Sequence, residues 1–423
     1  MERQGDPSNS NARTFTARWV FPVSGPPLPH GTVAVQGDSI AAVEPHGVRT
    51  PDEDLGNVAL IPGLVNAHTH LDLSGARGRI TPTDPAHFTD WLRGVIAFRR
   101  TRTPEQTQAD TRAGLAECLR FGTTLLGDIA SEGASWATVA AAQTRAVIYY
   151  ELIGLNYKQV EAAWNHTSFV SGINWYQKPP PGTAVHPATP TCRWGISPHA
   201  PYSVNVHTAK AIFQMENLTA THLAESPHEA ELLERRTGPF VEFLTALGVY
   251  QQDALASNWV NFLTPVVSGK VPRSTLIIHG NYLSPEFPFL ANQSVVYCPR
   301  THAAFGHPPH PFRKFLERGV RVCLGTDSLA SNPDLDILAE ARFVHARYPD
   351  FPADALLRMV TLSGAEALGW ADVCGSLEAG KSADMVAVPL PDRDAPPHEL
   401  LFANHPAERR TMFRGEWRGE ASP

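Results

Sequence analysis

The amino-acid sequence predicts an α/β fold: a (β/α)8 barrel of the TIM type, with a small β-sandwich domain formed by both termini. Two observations lead to this prediction. Eight apolar runs of strand length alternate with helical patterns along the middle of the chain, and short β-like segments recur at its two ends. Strands that are apolar on both faces are typical of a parallel sheet covered by helices. With 423 residues, 43% of them hydrophobic, the chain is long enough for one large and one small domain.

The barrel strands are predicted from apolar runs that end near polar side chains. They are residues 60–72, 123–128, 146–151, 193–197, 218–222, 275–279, 294–298 and 321–327. Helical patterns lie between several of them, at residues 111–121, 206–215, 227–247 and 312–319. Because the active sites of such barrels lie at the C-terminal ends of the strands, we expect the chemistry of this protein there.

The small domain is predicted from β-like segments at both ends of the chain. Near the N-terminus they are residues 16–21, 31–35 and 39–43, and a turn-rich stretch at 375–384 precedes a strand at 385–388. We therefore predict three parts: residues 1–60 as the N-terminal part of the small β domain, 61–370 as the barrel, and 371–423 as the C-terminal part of the small β domain.

Composition and charge argue against several classes of partner. The net charge is −7 and no basic block is present, which argues against nucleic acid or an anionic membrane. No run approaches the roughly 20 apolar residues of a membrane span, and residues 1–11 lack the apolar core of a signal peptide. The five cysteines are scattered and have no CxxC spacing, which indicates reduced thiols. We expect a cytoplasmic protein with a small-molecule substrate.

The stretch 156–191 is aromatic and proline-rich and shows no clear period. We interpret it as a loop insertion. It either covers the functional site as a lid or is a surface excursion without that role, and the sequence favours neither.

A candidate metal site begins with His68 and His70 at the end of the first barrel strand. In an extended strand, residues two apart face the same side, so the two imidazoles converge as nitrogen ligands to a metal ion do. Such a pair is a weak signal alone. The pattern becomes specific because other predicted strands also end in a potential ligand or proton-transfer group, namely Asp128, Glu151, His199, His222, His279 and Asp327.

Together these motifs resemble the amidohydrolase superfamily. Pro62-Gly63-Leu64-Val65-Asn66-Ala67-His68-Thr69-His70 is similar to the first metal motif of that family. The other motifs follow in the family's order: Ser197-Pro198-His199-Ala200-Pro201-Tyr202, Thr221-His222-Leu223-Ala224-Glu225, Ile278-His279-Gly280, Cys298-Pro299-Arg300, Leu324-Gly325-Thr326-Asp327-Ser328 and Gly380-Lys381-Ser382-Ala383-Asp384. The set resembles the branch of aminohydrolases that act on purine-like and pterin-like rings, adenosyl nucleosides and s-triazines.

The resemblance implies one divalent metal ion, bound by His68, His70, His222 and Asp327, with water completing the shell. Two-metal relatives use a bridging carboxylated lysine at the end of strand 4, whereas the strand that ends near His199 contains no lysine. Zinc is the first choice. Iron or manganese also suits these ligands, and the sequence does not decide between them.

The resemblance also implies three catalytic roles around a water whose pKa the metal lowers. Asp327 holds this water and takes its proton, and Glu225 donates a proton to the ring nitrogen beside the amino-bearing carbon. His279 steadies the attacking oxygen and the developing charge, with a fifth ligand or a core histidine as the alternative. Glu229 and Glu231, on the next helix, are interpreted as solvated helix positions.

Four further residues are candidates for contacting the substrate. They are His199, Arg300, Glu151 and Arg77, and for each of them a purely structural role is the alternative. The loop after strand 7 departs from the family pattern, because Cys298-Pro299-Arg300 is followed by Thr301-His302 and by the segment 305–312, which contains His307 and His310. The sequence assigns no role to these three histidines. The Cys-Pro-Arg version most resembles the aminodeoxyfutalosine deaminases.

The sequence thus predicts a hydrolase acting on carbon–nitrogen bonds that releases ammonia from an adenine-like or related ring. Aminodeoxyfutalosine, adenosylhomocysteine and methylthioadenosine form the preferred substrate group. Hydrolysis of another C–N or C–Cl bond, as in guanine or s-triazines, is an alternative within the superfamily. A catalytically inactive scaffold or binding module is the alternative from another class. A homodimer is expected only by analogy with relatives.

Overall fold

The computed structural model describes residues 12–156, 158, 189–215, 217–264, 272–404 and 408–419. In chain order the strands of these residues are β1 (Arg13–Thr16), β2 (Trp19–Val20), β3 (Leu28–Pro29), β4 (Thr32–Gln36), β5 (Ser39–Glu44), β6 (Glu53–Asp54), β7 (Val58–Pro62), β8 (Leu64–Thr69), β9 (Thr123–Ser131), β10 (Arg145–Leu152), β11 (Cys192–Pro198), β12 (Leu218–Leu223), β13 (Ser274–His279), β14 (Gln293–Tyr297), β15 (Arg321–Leu324), β16 (Met385–Pro389), β17 (Arg410–Phe413) and β18 (Glu416–Trp417).

The helices of the same residues are α1 (Phe88–Arg100), α2 (Pro104–Arg120), α3 (Trp136–Ala140), α4 (Val206–Ile212), α5 (Pro227–Arg235), α6 (Pro239–Ala246), α7 (Trp259–Leu263), α8 (Pro299–Ala304), α9 (Phe312–Glu317), α10 (Ile337–Arg347), α11 (Ala353–Met359), α12 (Leu362–Ala367) and α13 (Pro397–Phe402). Short 3-10 turns lie at Leu71–Ala76, Pro85–His87 and Gln252–Ala254. None of these helices is both long and apolar enough to cross a membrane.

The predicted barrel is confirmed. In the described part of the chain, strands β8 to β15 form one parallel sheet of eight strands in sequence order. The sheet closes where the amides of Thr326 and Asp327 each donate a hydrogen bond to the carbonyl of His68, at 3.1 Å. This seam joins the first strand to the last, and it therefore brings two residues 259 positions apart, His68 and Asp327, to the same C-terminal end of the barrel.

The single helix predicted over residues 227–247 is wrong, because the structure has two helices there. Helix α5 ends where Arg236 adopts a left-handed backbone with φ +58, and Gly238 follows with φ +90. Pro239 then begins α6. A left-handed residue ends a helix without changing the spacing of the apolar residues along the chain. One long helix was predicted from that spacing.

The predicted β sandwich formed by both termini is also confirmed. Among the described residues, one sheet has the order β5-β4-β1-β6 and the other the order β18-β17-β16-β7-β2-β3. The two termini meet where β16 pairs antiparallel with β7, with Val386 opposite Ile61. Side chains from both sheets, among them Phe15, Ile40 and Trp417, pack in the core between them.

The stretch 156–191, interpreted as a lid or a surface excursion, lies outside the described residues except for 156, 158 and 189–191.

A buried ion pair ties the barrel to the C-terminal strands. The guanidinium of Arg145, at the start of β10, contacts the carboxylate of Asp384 and donates a hydrogen bond to Ser382 Oγ at 2.9 Å. Both side chains of the ion pair are at most 5% exposed. Burial raises the pKa of Asp384, and the charge of Arg145 opposes that rise.

We expect Arg145→Met to lower the free energy of unfolding by about 3–5 kcal/mol, because it leaves a buried carboxylate without its cation. Chemical denaturation measures this change. Arg414→Met is the matched control, since Arg414 pairs with Asp38 at the surface and its loss should cost about 0–1 kcal/mol. Equal effects of the two substitutions would contradict the prediction.

Candidate active site

Four predicted metal ligands converge at the C-terminal end of the barrel. His68 and His70 lie at the end of β8, His222 lies at the end of β12, and Asp327 follows β15. The Nε2 atoms of His70 and His222 are 3.3 Å apart, and Asp327 Oδ1 lies 3.4 Å from His68 Nε2 and 3.8 Å from His70 Nε2. All four side chains are buried. The structure thus brings together the residues that the sequence predicted for the metal site.

The spacing of these atoms fits a small divalent ion. Ligand atoms about 2.0–2.2 Å from a tetrahedrally bound zinc are separated by about 3.3–3.5 Å from one another. Both ring nitrogens of His68 and the Nδ1 of His70 are buried without a hydrogen-bond partner among the described residues. The Nδ1 of His222 donates to the carbonyl of His199 at 3.0 Å, which leaves its Nε2 as the unprotonated donor atom.

The protonation states of the cluster also suit metal binding. Burial, together with the neighbouring imidazoles, keeps the pKa values of His70 and His222 well below the usual value. For Asp327, burial acts to raise the pKa, but the close imidazoles of His68 and His279 and the hydroxyl of Ser331 outweigh it and hold the pKa below its usual value. Neutral imidazoles and an ionised carboxylate are the forms that bind a metal ion.

Glu225 and His279 lie beside this cluster as a pair. His279 Nε2 is 3.3 Å from Glu225 Oε1, and both side chains are at most 7% exposed. Burial and the nearby charge of Asp327 raise the pKa of Glu225 well above its usual value. The raised pKa favours the protonated carboxyl group, which is the form that can act as an acid. His279 also lies within ligand distance of His68 and Asp327, so it faces the same point as the metal cluster.

Backbone strain is concentrated at this end of the barrel. Ala224, His279 and Asp327 have φ values of +52, +67 and +58, in the left-handed region that favours glycine. Such conformations persist only where the surrounding structure holds them, and they are typical of functional sites. Each of the three residues ends or follows a barrel strand. The turns at these positions accompany the side chains of Glu225, His279 and Asp327, which line one cavity.

Glu229 helps to hold the backbone turn at Ala224. Its Oε1 accepts hydrogen bonds from the amide of Ala224, at 2.7 Å, and from the indole of Trp259. The prediction that Glu229 is a solvated helix position is wrong, since its side chain is fully buried and burial raises its pKa to about 8. Helix α5 begins at Pro227, directly after its N-cap residue Ser226, and Glu229 lies in the first turn of this helix.

Two of the four predicted substrate contacts line the cavity and two do not. His199 and Glu151 form part of its wall. The guanidinium of Arg300 instead donates to Glu340 and Asp334, at 2.7 Å each, and that of Arg77 pairs with Glu117 at the surface. These ion pairs engage both guanidinium groups away from the cavity wall, and a substrate role for Arg300 and Arg77 stays a prediction.

One charged residue of the cavity wall, Arg99, belongs to no motif that the sequence analysis identified. It lies on α1 and bridges two buried carboxylates, with 2.9 Å to Glu151 and 3.2 Å to Asp72. Although burial acts to raise the pKa of Glu151, the charge of Arg99 holds it below its usual value. The amphipathic pattern of α1, with Trp91 and Val95 one turn apart, is the signal that could have placed this helix against the site.

Asp128, one of the strand-end residues, has a structural role. Its carboxylate accepts hydrogen bonds from the amide of Leu71 at 2.9 Å and from Ser135 Oγ at 2.5 Å. Burial raises its pKa to about 7. It therefore holds the turn that follows the His70 ligand instead of facing the cavity.

Comparison with known proteins agrees with this architecture. Residues 59–418 match the model of the amidohydrolase family. A 5-methylthioadenosine/S-adenosylhomocysteine deaminase of Moorella thermoacetica is 29% identical over 413 residues, which cover 91% of this chain and 87% of that protein.

Two solved structures share the fold. The aminofutalosine deaminase of Helicobacter pylori in complex with methylthio-coformycin has a TM-score of 0.79 at 21% identity, covering 96% of this chain and 99% of that one. An adenosine deaminase of Xanthomonas campestris with bound zinc has a TM-score of 0.74 at 24% identity, covering 96% and 92%. With a family model matching most of its length, the chain belongs to the amidohydrolase family.

Proposed function

We propose that the protein is a metal-dependent hydrolytic deaminase that releases ammonia from an adenine-like ring. Aminodeoxyfutalosine, S-adenosylhomocysteine and 5-methylthioadenosine form the preferred substrate group. The observation that carries this proposal is the buried Glu225, whose raised pKa keeps it an acid and whose Oε1 lies 3.3 Å from His279, next to three histidines and an aspartate. The name of the relative from Moorella thermoacetica supports the substrate class.

We infer a single divalent ion, zinc in the first place, held by His68, His70, His222 and Asp327. When bound there, such an ion lowers the pKa of water towards neutrality and supplies hydroxide as the nucleophile. Nitrogen and carboxylate ligands of this kind also bind iron or manganese, which metal analysis distinguishes.

The residues of the chain divide the proton transfers between them. The ionised Asp327 accepts the proton of the attacking water, and the protonated Glu225 donates its proton to the ring nitrogen next to the amino-bearing carbon. Asp327 then passes its proton to the leaving amino group, which departs as ammonia, and the hydroxyl proton of the new C–O bond returns to Glu225, so that both side chains regain their starting protonation states. His279 donates a hydrogen bond from Nε2 towards the attacking oxygen, which places a donor where negative charge develops.

We further propose His199 and Glu151 as substrate contacts. Glu151 Oε1 is buried without a hydrogen-bond partner among the described residues and lies 3.8 Å from His199 Nε2. The cavity holds only about 50 Å³, which is room for one or two water molecules. Side chains of α1, Trp91 and Leu92 among them, form one wall of this cavity.

We expect Glu151→Gln to raise KM by about 10–100-fold, because a hydrogen bond to a charged group contributes about 1.5–3 kcal/mol. Its kcat and metal content should stay near the wild-type values, since Glu151 belongs neither to the ligands nor to the acid. Steady-state kinetics with metal analysis measures all three quantities. An unchanged KM for every substrate would remove Glu151 from the binding site.

The proposed function is tested by measuring ammonia release from zinc-loaded protein across a panel of compounds. The panel contains adenine nucleosides with different 5′ groups, guanine, a pterin, and an amino- and a chloro-s-triazine. Ammonia from the nucleosides is the expected result. Ammonia from guanine alone, or chloride from the triazine, would assign another reaction of the same family. Protein that purifies without stoichiometric metal and releases nothing would support the inactive scaffold.

We also propose that the protein works in a reducing cytoplasm. All five cysteines are buried and none forms a disulfide bond. Burial raises the pKa of Cys118, Cys298 and Cys323, which keeps these thiols protonated and unreactive.

A further inference from the structure

The loop after β14 places three buried histidines beside the active site without adding them to it. His302, His307 and His310 do not line the cavity, and among the described residues they belong to no potential metal-ligand group. The ring of His310 stacks on Tyr297 with a centroid distance of 4.1 Å, and His307 Nδ1 lies 3.0 Å from the hydroxyl of Tyr282. These are the residues for which the sequence suggested no role.

One of these histidines contacts the backbone of the catalytic pair. His310 Nε2 lies 2.7 Å from the carbonyl oxygen of His279. A carbonyl oxygen only accepts hydrogen bonds, so Nε2 carries the proton and the ring is the donor. His310 Nδ1 is buried without a partner in the described structure, which fits a neutral ring with that single tautomer. Burial lowers the pKa of His310 to about 3, so the donor persists at neutral pH.

The carbonyl that His310 binds belongs to a strained residue. The pairing of β13 with β14 ends at Ile278 opposite Val296, and His279 then turns into the left-handed region with φ +67. A buried carbonyl at the last residue of a strand, past the end of the pairing with β14, needs a donor from elsewhere. His310 supplies that donor from a loop 31 residues further along the chain.

The turn that follows His279 also contacts the backbone around Glu225. Asn281 Nδ2 donates to the carbonyl of Glu225 at 3.1 Å, and the amide of Tyr282 donates to the carbonyl of Ala224 at 3.1 Å. Residues 279–282 therefore connect His279 to the backbone of Ala224 and Glu225 through two hydrogen bonds. A donor that holds this turn at His279 also affects the position of Glu225.

We propose that His310 is a positioning residue, whose Nε2 proton holds the His279 peptide in its left-handed conformation and so keeps the His279 imidazole within reach of Glu225. The kinetic part of the test rests on the proposed function. The structural part does not, because it reports on the backbone of residues 280–282 without substrate.

The test compares three substitutions of His310 that differ in their donor. His310→Gln retains a side-chain N–H close to the position of Nε2, whereas His310→Asn is too short to reach and His310→Leu has no donor. We expect the Leu and Asn variants to lose kcat by about 10–100-fold, since small misplacements of catalytic groups have effects of this size. Their KM and metal content should change little, and the Gln variant should recover most of kcat. If the Leu variant does not fold, the comparison of kcat between the Asn and Gln variants decides whether the donor matters.

Hydrogen–deuterium exchange of the amides of residues 280–282 provides the readout that is independent of substrate. We expect about tenfold faster exchange in the Leu and Asn variants and little change in the Gln variant. His302→Leu is the matched control, because His302 is a buried histidine of α8, in the same segment between β14 and α9, that contacts Tyr297 edge-on but does not bind His279. It should leave kcat and the exchange of this turn unchanged.

The possible outcomes separate the two proposals. Exchange that is unchanged in all His310 variants, or equally fast in the Gln and Leu variants, overturns the positioning role whatever the substrate is. If the Gln variant loses both kcat and metal, the positioning role is also overturned, because the substitution then disturbs the fold and not a single hydrogen bond. Faster exchange in the Leu and Asn variants of a protein that deaminates nothing on the panel refutes the proposed function and supports the positioning role.

Discussion

Glu225→Gln is expected to lower kcat by about two to four orders of magnitude, which is the usual contribution of a positioned acid or base. The amide has nearly the same shape as the protonated carboxyl group and can still donate a hydrogen bond, but it cannot release a proton to the ring. KM should therefore change little. Steady-state kinetics on the best panel compound, together with metal analysis and thermal unfolding, measures the effect.

The structure offers a matched control on the helix that follows. Glu231 lies on α5 and is partly exposed, with its carboxylate bound to His228 at 3.1 Å. Glu231→Gln makes the same substitution six residues away without touching the site, so its kcat should stay within about twofold of the wild type. A Glu225→Gln enzyme that turns over at nearly the wild-type rate would remove Glu225 from the chemistry.

The raised pKa of Glu225 adds a reason to expect a large effect. An ordinary glutamic acid is ionised at neutral pH and has no proton to give, whereas burial and the charge of Asp327 raise the pKa of Glu225 and so favour its protonated form. The same burial removes water that could take over the transfer. The proton therefore has to come from this side chain.

The barrel and its ligands could be predicted because the sequence marks them locally. Each strand is a largely apolar segment, and His68, His222 and Asp327 each lie at or shortly after the end of one. In a parallel barrel all strand C-termini lie at one end, so residues marked in this way are brought together whatever lies between them. The structure adds the seam at which His68 and Asp327 meet.

The remaining contacts of the site are not local, and the sequence does not mark them. Arg99 pairs with Glu151 across 52 residues, and which face of α1 turns inward depends on the whole packing of that helix. Arg300 was expected in the site because it follows a family motif, yet its guanidinium turns towards Glu340, 40 residues further on. Side-chain direction after a strand end is decided by tertiary partners, which the motif alone does not include.

His70→Ala should reduce the affinity for zinc by at least about 100-fold and lower stability with it. A ligand that binds only the folded state stabilises it by RT ln(1 + [L]/Kd), so a 100-fold weaker site loses about 2.7 kcal/mol when the free metal saturates the wild type. His70 Nε2 lies 3.3 Å from that of His222 and 3.8 Å from Asp327 Oδ1, so its loss opens one side of the ligand set. The metal content and the thermal unfolding temperature should fall together.

A comparison with a chelator separates this effect from the loss of a buried side chain. Without metal, the wild type also loses the stabilisation that ligation supplies, so the difference between wild type and His70→Ala should become much smaller in chelator than in zinc. A difference that is equally large under both conditions would mean that His70 stabilises the fold by packing alone. Stoichiometric zinc in the variant, with unchanged affinity, would show that the ion is held by other residues.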